Sequence, residues 1–235
     1  MSKSRSPLMR WIWHSVKLIF FLLLLYQIWL FAHVCWWVKF NPSSSAFMDT
    51  RLEIMQDKNP AAELRQKWVP YAKISDNLKR ALIASEDARF VDHEGFDWEG
   101  IQKAYKKDIR KGKIVAGGST ISQQLAKNLF LSTQRTPWRK MEETVITMML
   151  EAVMDKQRIF EIYLNVIEWG NGVFGAEAAA RHYYHESAAQ LTADQAAKLA
   201  AMVPNPRYYD KHREAPGLLR KTDIIMARMN DVEIP

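Results

Sequence analysis

The chain has 235 residues, of which 48% are hydrophobic and 25% are charged, a balance typical of a globular protein rather than a disordered one. Its single cysteine, Cys35, excludes an intramolecular disulfide and any zinc site built from several cysteines. The net charge of +7 comes mainly from residues 1–39, which carry five basic residues and no acid. Because the remainder is nearly neutral, the charge does not indicate a nucleic-acid partner.

Residues 18–38 form an uncharged stretch between Lys17 and Lys39, with the sequence LIFFLLLLYQIWLFAHVCWWV. A helix of this length spans about 31 Å, which is the thickness of a bilayer core. Tryptophans flank the stretch, as expected where amphipathic rings lie at the two membrane interfaces. Because basic residues precede the span and no A-x-A site follows closely, we predict an uncleaved anchor with a cytoplasmic N-terminus and an exported body.

The body begins with residues 39–67, where Ser, Pro and Asn at 40–60 predict a linker that leads into a membrane-proximal segment. From 68 to 235 almost every pattern is helical, and no stretch alternates convincingly as a strand apart from a weak KIV at 113–115. The fold class is therefore predicted to be mainly α. The predicted helix starts are Ser75 or Asp76, Asp97, Thr120 with Gln123, Thr136 with Pro137, and Thr192 with Gln195.

The stretch IASEDARFVDHEGFDWEG, residues 83–100, contains eight titratable side chains. A solvated loop, a calcium loop or an active site with one carboxylate in a chosen protonation state could each have this composition. An EF-hand does not fit, because counting from Asp92 places Phe96 at the fifth position and Gly95 at the fourth. The absence of an HExxH motif also removes the common zinc-hydrolase pattern. A loop and an active site both stay open at this point.

A second pattern is AGGSTISQQLAKN, residues 116–128, in which two glycines precede a helix start. Such an end presents N–H groups and a positive dipole to an anion. Gln123 and Lys127 are four residues apart and share a face, with Gln124 beside them. The pattern predicts a phosphate site, and a Gly-Gly turn before a capped surface helix is the alternative.

Two further stretches carry charge. In QRTPWRKMEE, 134–143, Arg139 and Glu143 are four apart on one helix face, which predicts either a functional pair or a surface ion pair. In KAYKKDIRKGK, 103–113, six basic residues face one acid. That composition predicts a solvated face that could also meet lipid head groups or an anionic substrate.

Read in order, EDARFVDHEGFD, GGSTISQQLAKN, RKMEE and KQRIFEIYLNVIEWGNGVFGAEAAA resemble the motifs of the peptidoglycan glycosyltransferases that polymerise lipid II, across roughly 68–208. The family includes the glycosyltransferase domain of bifunctional penicillin-binding proteins. Because S-x-x-K and K-T-G do not occur, the resemblance is to the monofunctional kind, and no transpeptidase activity is expected. The resemblance implies a lysozyme-like helical glycosyltransferase domain at 68–235 with a small membrane-proximal lobe.

The resemblance also implies the site residues. Glu86 would be the general base on the acceptor's 4-hydroxyl in a transfer that inverts the anomeric centre. Glu143 would be a second catalytic carboxylate that holds a basic side chain or the metal region, or stabilises positive charge at the anomeric carbon. Asp87 and Asn165 would support the site. The implied ligands of pyrophosphate and sugar are Ser119, Gln123, Gln124, Lys127, Arg135, Arg139 and Lys140.

A divalent cation, Mg²⁺ or Mn²⁺, is expected to help neutralise the pyrophosphate, although the sequence does not identify its ligands. The expected partners are lipid II, the growing glycan strand, the membrane, and proteins of cell division or elongation. Nucleic acid is not among them. The expected location is a bacterial inner membrane, with 1–17 in the cytoplasm, 18–38 across the bilayer and the catalytic domain in the periplasm.

Two other functions stay open from the residues alone. A lytic transglycosylase or muramidase would share a helical lobe and a catalytic glutamate, but its neutral glycan substrate would not need an anion site at 117–139. An anchored scaffold without enzymatic activity would not need Glu86, so Glu86→Gln would leave its cellular function intact.

Overall fold

A computed structural model describes residues 7–102, 118–134 and 136–235. Four features discussed above fall outside the described residues: the basic stretch 103–113, the KIV segment at 113–115, Gly117 and Arg135. The chain divides into two compact units, Met1–Phe40 and Asn41–Pro235. The assignment of 1–17, 18–38, 39–67 and 68–235 to separate segments stays a prediction.

The first unit contains one helix, α1, Pro7–Trp37. Its segment Leu8–Trp37 is long and apolar enough to cross a membrane, as judged by length and composition. Most apolar side chains of this segment are exposed, and exposure of so much apolar surface to water would be unfavourable. The helix is therefore suited to anchor the chain in a bilayer, and it is longer than the 18–38 span that the sequence predicts.

The second unit is mainly α-helical. Its helices are α2 Ala46–Gln56, α3 Asp76–Glu86, α4 98–102, α5 Ile121–Phe130, α6 Pro137–Val153, α7 Lys156–Val166, α8 Ala176–Tyr184, α9 Ala193–Met202, α10 Pro206–Lys211 and α11 Pro216–Met226. Two 3₁₀ turns, Tyr71–Lys73 and Met229–Asp231, complete the helical elements of the described residues. The predicted mainly α fold class is confirmed.

Most helices start where side-chain capping predicts. The Ser75 hydroxyl caps α3, and Thr136 caps α6 with Pro137 in the first helical turn. Thr120 and Gln123 form a complete capping box at the start of α5, and Thr192 begins α9 in the same way. The Asp97 carboxylate accepts a hydrogen bond from the Gly100 amide at 2.9 Å, so the predicted start of α4 is also confirmed.

The predicted linker at 40–60 contains α2, which the sequence interpretation missed. The Ser45 hydroxyl accepts a hydrogen bond from the Met48 amide at 3.2 Å and starts the helix. α2 then packs against α5. Serine, proline and asparagine are common both in linkers and at helix starts, so composition alone does not separate the two.

A small sheet was also missed. It consists of β1 Arg65–Gln66, β2 Glu168–Gly170 and β3 Val173–Phe174, in the order β1-β3-β2. β1 is parallel to β3, and β2 is antiparallel to it. Strands of two or three residues are too short to show alternation, so periodicity does not reveal them.

The core forms around two groups of packed helices. α3, α9 and α11 pack together, and α5 packs between α6 and α7. The largest fully buried side chains include Trp169, Tyr163, Phe90, Phe160 and Phe174. The C-terminal end of α3 and the side chains of α5 and α7 therefore meet in rigid surroundings, where the candidate site lies.

Candidate active site

The last turn of α3 carries Glu86. Leu82 and Ile83 are fully buried, and Glu86 lies four and three residues after them on the same face. The helix thus directs the carboxylate toward the protein interior, where only 12% of its side chain is exposed. α3 ends at this residue, because Asp87 has a non-helical backbone conformation.

Three donors surround the Glu86 carboxylate. The Gln124 amide nitrogen donates to Oε2 at 3.0 Å, and the Ser85 hydroxyl donates to Oε1 at 2.9 Å. The Lys221 ammonium lies 3.5 Å from Oε1. These contacts hold the carboxylate in one orientation, as a general base requires.

Asp87 holds the two neighbouring segments in place. Its Oδ1 is 2.9 Å from His93 Nε2, and its Oδ2 accepts a hydrogen bond from the Ile121 amide at 3.0 Å. The carboxylate therefore occupies the N-terminal end of α5, a position that the helix dipole favours. The supporting role implied for Asp87 agrees with these contacts.

The start of α5 differs from the phosphate site that its glycines suggested. The Ile121 amide binds Asp87, and the Gln123 amide binds the Thr120 hydroxyl at 3.2 Å. Gln123 is buried, and its side-chain oxygen accepts a hydrogen bond from the Thr120 amide at 3.1 Å. Both amides and the Gln123 side chain are thus used within the chain, so the hydrogen bonds at this helix start do not support an anion site there.

The Glu86 cleft opens in front of the base. Its volume is about 210 Å³. The described lining residues are Ala84, Ser85, Glu86, Asp87, Ala88, Asp97, Gly100, Ile101, Gly118, Ser119 and Thr120. Hydroxyl and carboxylate groups make up its polar lining, a combination suited to a neutral, hydroxyl-rich ligand such as a sugar. The predicted ligand Ser119 is exposed and lies on this wall.

A second cavity, the basic cleft, has a volume of about 290 Å³. It is lined by Phe47, Gln124, Lys127, Asn128, Thr133, Arg139, Ile167, Glu168, Val203, Pro204, Pro206 and Arg207. Among the described residues of this lining, three cations face one carboxylate, so the cleft favours an anion. Gln124 lines this cleft and also binds Glu86, so one side chain links the base to the basic cleft.

Glu143 is buried on α6, with 4% of its side chain exposed. It accepts a hydrogen bond from Arg139 at 3.2 Å and a second from Lys140. Of the roles considered for Glu143, these contacts support the one in which it holds basic side chains. Arg139 reaches the basic cleft, whereas Lys140 is bound to Glu143 and does not line that cleft.

Asn165 lies fully buried on α7. Its side chain accepts from the Val69 amide at 2.9 Å and donates to the Val69 carbonyl at 3.0 Å and the Glu161 carbonyl at 2.8 Å. The amide thus ties the segment before α3 to α7 and does not face either cleft lining. Among the described predicted ligands, Gln124, Lys127 and Arg139 share the basic cleft, and Ser119 lies at the Glu86 cleft.

The residues that sequence reasoning missed include two that support the base and two that line the basic cleft. Lys221 comes from α11 and Tyr163 from α7, and both contact the Glu86–Gln124 pair. Glu168 and Arg207 form part of the basic cleft. Tyr163 and Glu168 lie within the quoted motif at 156–180, whereas Arg207 and Lys221 lie outside the quoted motifs.

Glu168 is a charged group within the basic cleft wall. Burial raises its pKa, although Arg51 and Arg207 oppose this effect. Arg51 Nε lies 3.1 Å from one oxygen and Arg207 Nε lies 3.7 Å from the other. The two arginines leave this wall with net positive charge.

The described side chains do not fit a metal held mainly by the protein. They contain no group of three His, Cys, Asp or Glu residues that could bind an ion. The carboxylates of Glu86, Asp87 and Glu143 all accept hydrogen bonds from side chains or backbone of the chain itself. A cation would therefore need most of its ligands from a substrate.

Comparisons with a family profile and with individual known proteins agree. The profile of the Transglycosylase family matches residues 53–230. A biosynthetic peptidoglycan transglycosylase from Methylobacillus flagellatus is 69% identical over 223 residues, which cover 95% of this chain and 97% of that protein. One of the same name from Laribacter hongkongensis is 65% identical over 228 residues, which cover 97% and 100% of the two chains. The chain therefore belongs to the transglycosylase family.

Proposed function

We propose that the chain is a peptidoglycan glycosyltransferase that polymerises lipid II into β-1,4-linked glycan strands and releases undecaprenyl pyrophosphate. The observation that carries the proposal is the link between a partly buried carboxylate and a basic cleft. Gln124 binds Glu86 at 3.0 Å and lines the cleft that contains Lys127 and Arg139. A base for a hydroxyl and cations for a pyrophosphate are the two groups that this reaction needs.

The reaction is a single displacement at the anomeric carbon. The acceptor's 4-hydroxyl oxygen forms the new bond to that carbon as the bond to the pyrophosphate oxygen breaks, so an α linkage becomes β. Glu86 takes the hydroxyl proton, and the electron pair of the broken bond leaves on the pyrophosphate. No covalent glycosyl-enzyme is needed, because one displacement inverts the centre once.

The donors around Glu86 orient the carboxylate that acts as the base. Gln124 and Ser85 fix the carboxylate plane, and Lys221 places a positive charge beside it. The carboxylate is therefore held in one orientation before the reaction. The hydroxyl-lined Glu86 cleft provides the place from which an acceptor sugar can reach the base.

The basic cleft supports the leaving group. A pyrophosphate is negatively charged in the substrate and gains negative charge as the bond breaks, so fixed cations both bind the substrate and lower the barrier. Lys127 and Arg139 were expected as such cations, and Arg207 adds a third on the same lining. Glu143 holds Arg139 from the buried side, which keeps the guanidinium in one orientation.

The proposed reaction includes a divalent cation that is held mainly by the substrate. The pyrophosphate oxygens would supply most of its ligands, because the described side chains offer no metal-binding group. When bound, the ion would neutralise phosphate charge. The steps assigned to Glu86, Gln124 and Lys127 do not depend on it.

The location proposed is a single-pass inner-membrane protein with a cytoplasmic N-terminus and a periplasmic catalytic unit. The apolar helix α1 supports the anchor, and the basic residues before the span support the orientation. Such an anchor would keep the enzyme near a lipid-linked substrate. Recruitment by proteins of cell division or elongation is compatible with catalysis and belongs to the same proposal.

The test is incubation of the purified full chain, in detergent, with lipid II and separately with mature sacculi. We expect lipid II to yield long glycan chains and released polyprenyl pyrophosphate. Release of fragments from sacculi with lipid II untouched would instead identify a lytic enzyme. Binding to cell-division proteins with neither activity would identify a scaffold, and either outcome would overturn the proposal.

A further inference from the structure

Tyr163 stands behind the base in a short chain of hydrogen bonds. Its side chain is fully buried on α7. The Tyr163 hydroxyl lies 3.0 Å from Gln124 Oε1, and Gln124 Nε2 lies 3.0 Å from Glu86 Oε2. Three side chains from α7, α5 and α3 are thus connected in one line.

The chemistry of the three groups fixes the direction of this chain. An ionised Glu86 can only accept, so Gln124 must turn its NH₂ toward the carboxylate. The amide oxygen then points to Tyr163, whose hydroxyl must donate. The opposite amide orientation would bring a carbonyl oxygen against the carboxylate, which is repulsive.

The phenol is a dependable donor at neutral pH. Burial raises the pKa of Tyr163 well above its usual range of about 10, and the negative charges of Glu86 and Asp87 add to the effect. The O–H group is therefore retained at neutral pH. In low-dielectric surroundings, linked hydrogen bonds also strengthen one another.

We propose that Tyr163 is a positioning residue for catalysis: its hydroxyl selects the Gln124 amide orientation that holds Glu86 as the base. The inference rests on the proposed function of Glu86. Tyr163 itself is buried and does not line either cleft. Its effect should therefore fall on turnover rather than on substrate binding.

The test is a double-mutant cycle in the full chain with lipid II as substrate. Tyr163→Phe removes one hydroxyl, Gln124→Leu removes the amide, and the third variant carries both changes. We expect Tyr163→Phe to lower kcat about tenfold with KM nearly unchanged. In the Gln124→Leu background the same change should have almost no further effect, because the group on which it acts is gone.

Tyr183→Phe is the matched control. Its hydroxyl also makes two hydrogen bonds, to the Trp169 carbonyl at 2.9 Å and to Asp210 at 2.8 Å, away from Glu86. Thermal unfolding of the two phenylalanine variants reports the cost of losing each hydroxyl. We expect Tyr183→Phe to lower stability without lowering kcat.

The inference is overturned if Tyr163→Phe keeps wild-type kcat, or lowers kcat equally with and without Gln124. If Tyr163→Phe fails to fold, the kcat of Gln124→Leu is the test. A wild-type kcat in Gln124→Leu would overturn the inference, because Tyr163 is proposed to act through Gln124. Glu86→Gln separates the two proposals. If that variant stays active, the proposed function fails; if it is inactive while the cycle is additive, only the role of Tyr163 fails.

Discussion

Lys221 Nζ lies 3.5 Å from Oε1 of Glu86, although the two residues are 135 positions apart in the sequence. α11 packs against both α3 and α9, and this packing brings the lysine to the base. The Lys221 side chain is 33% exposed, so its ammonium can reach both the carboxylate and the solvent. The C-terminal helix therefore contributes directly to the electrostatics of the site.

Lys221→Met should lower kcat about tenfold, because the methionine keeps the apolar stem but removes the positive charge beside the base. Lys221→Arg should restore most of the activity. Steady-state polymerisation of lipid II measures the effect. Arg220→Met is the control, since it removes an equal charge from the exposed side of the same helix; equal losses in the two variants would argue for a general charge effect.

Lys127→Met should raise the apparent KM for lipid II about tenfold, because it removes a cation from the lining of the basic cleft. Lys58→Met, at an exposed position, removes the same charge without changing that cleft. Initial rates over a range of lipid II concentrations give the KM of each variant. A wild-type KM for Lys127→Met would place the pyrophosphate elsewhere.

Glu143→Gln should lower the free energy of unfolding by about 2 kcal/mol, because it leaves the Arg139 guanidinium without its buried carboxylate. It should also raise KM, since Arg139 would no longer be held in the basic cleft. Denaturant unfolding and kinetics give the two values. Glu142→Gln, one position earlier on α6, is the control and should change both much less.

The hydrogen-bonded carboxyl of Asp210 should make the stability of the protein depend on pH. Burial alone would raise its pKa, but hydrogen bonds from Tyr183, the Asn171 amide and His182 lower it below the usual 3.8. A carboxyl with a lowered folded-state pKa stabilises the protein above about pH 3.8, and that stability is lost as the pH falls through the folded-state value. Asp210→Asn should lower Tm by about 2–4 °C at pH 7.

The difference in Tm between Asp210→Asn and the unmodified chain should shrink as the pH falls below about 4, because the native carboxyl then becomes neutral as well. Thermal unfolding across pH 3–7 would follow it. A difference that stays constant over this range would show that Asp210 stabilises the fold through packing rather than through its charge.

Features decided by neighbouring residues could be predicted from the sequence. Ser75, Thr120 and Thr136 cap helices as expected, because capping needs only a hydroxyl and an amide two or three residues later. The capping box of Thr120 and Gln123 is likewise as predicted.

Features decided by tertiary packing could not be predicted in this way. In the described part of the chain, the short strand β1 pairs only with β3, which lies about a hundred residues later in the chain. Lys221 has no local signal, because its partner lies on another helix and only the packing of α11 joins them. The resemblance identified Glu86 and Gln124, but the hydrogen bond between them required the fold.

Glu86→Gln tests the central claim most directly. The amide matches the carboxylate in shape but cannot accept the hydroxyl proton at neutral pH. Glu94→Gln, at an exposed position of the following loop, is the matched control. We predict that Glu86→Gln folds, binds lipid II and forms no glycan, while Glu94→Gln polymerises lipid II normally. Glycan synthesis by Glu86→Gln at more than a few per cent of the unmodified rate would contradict the assignment of Glu86 as the base.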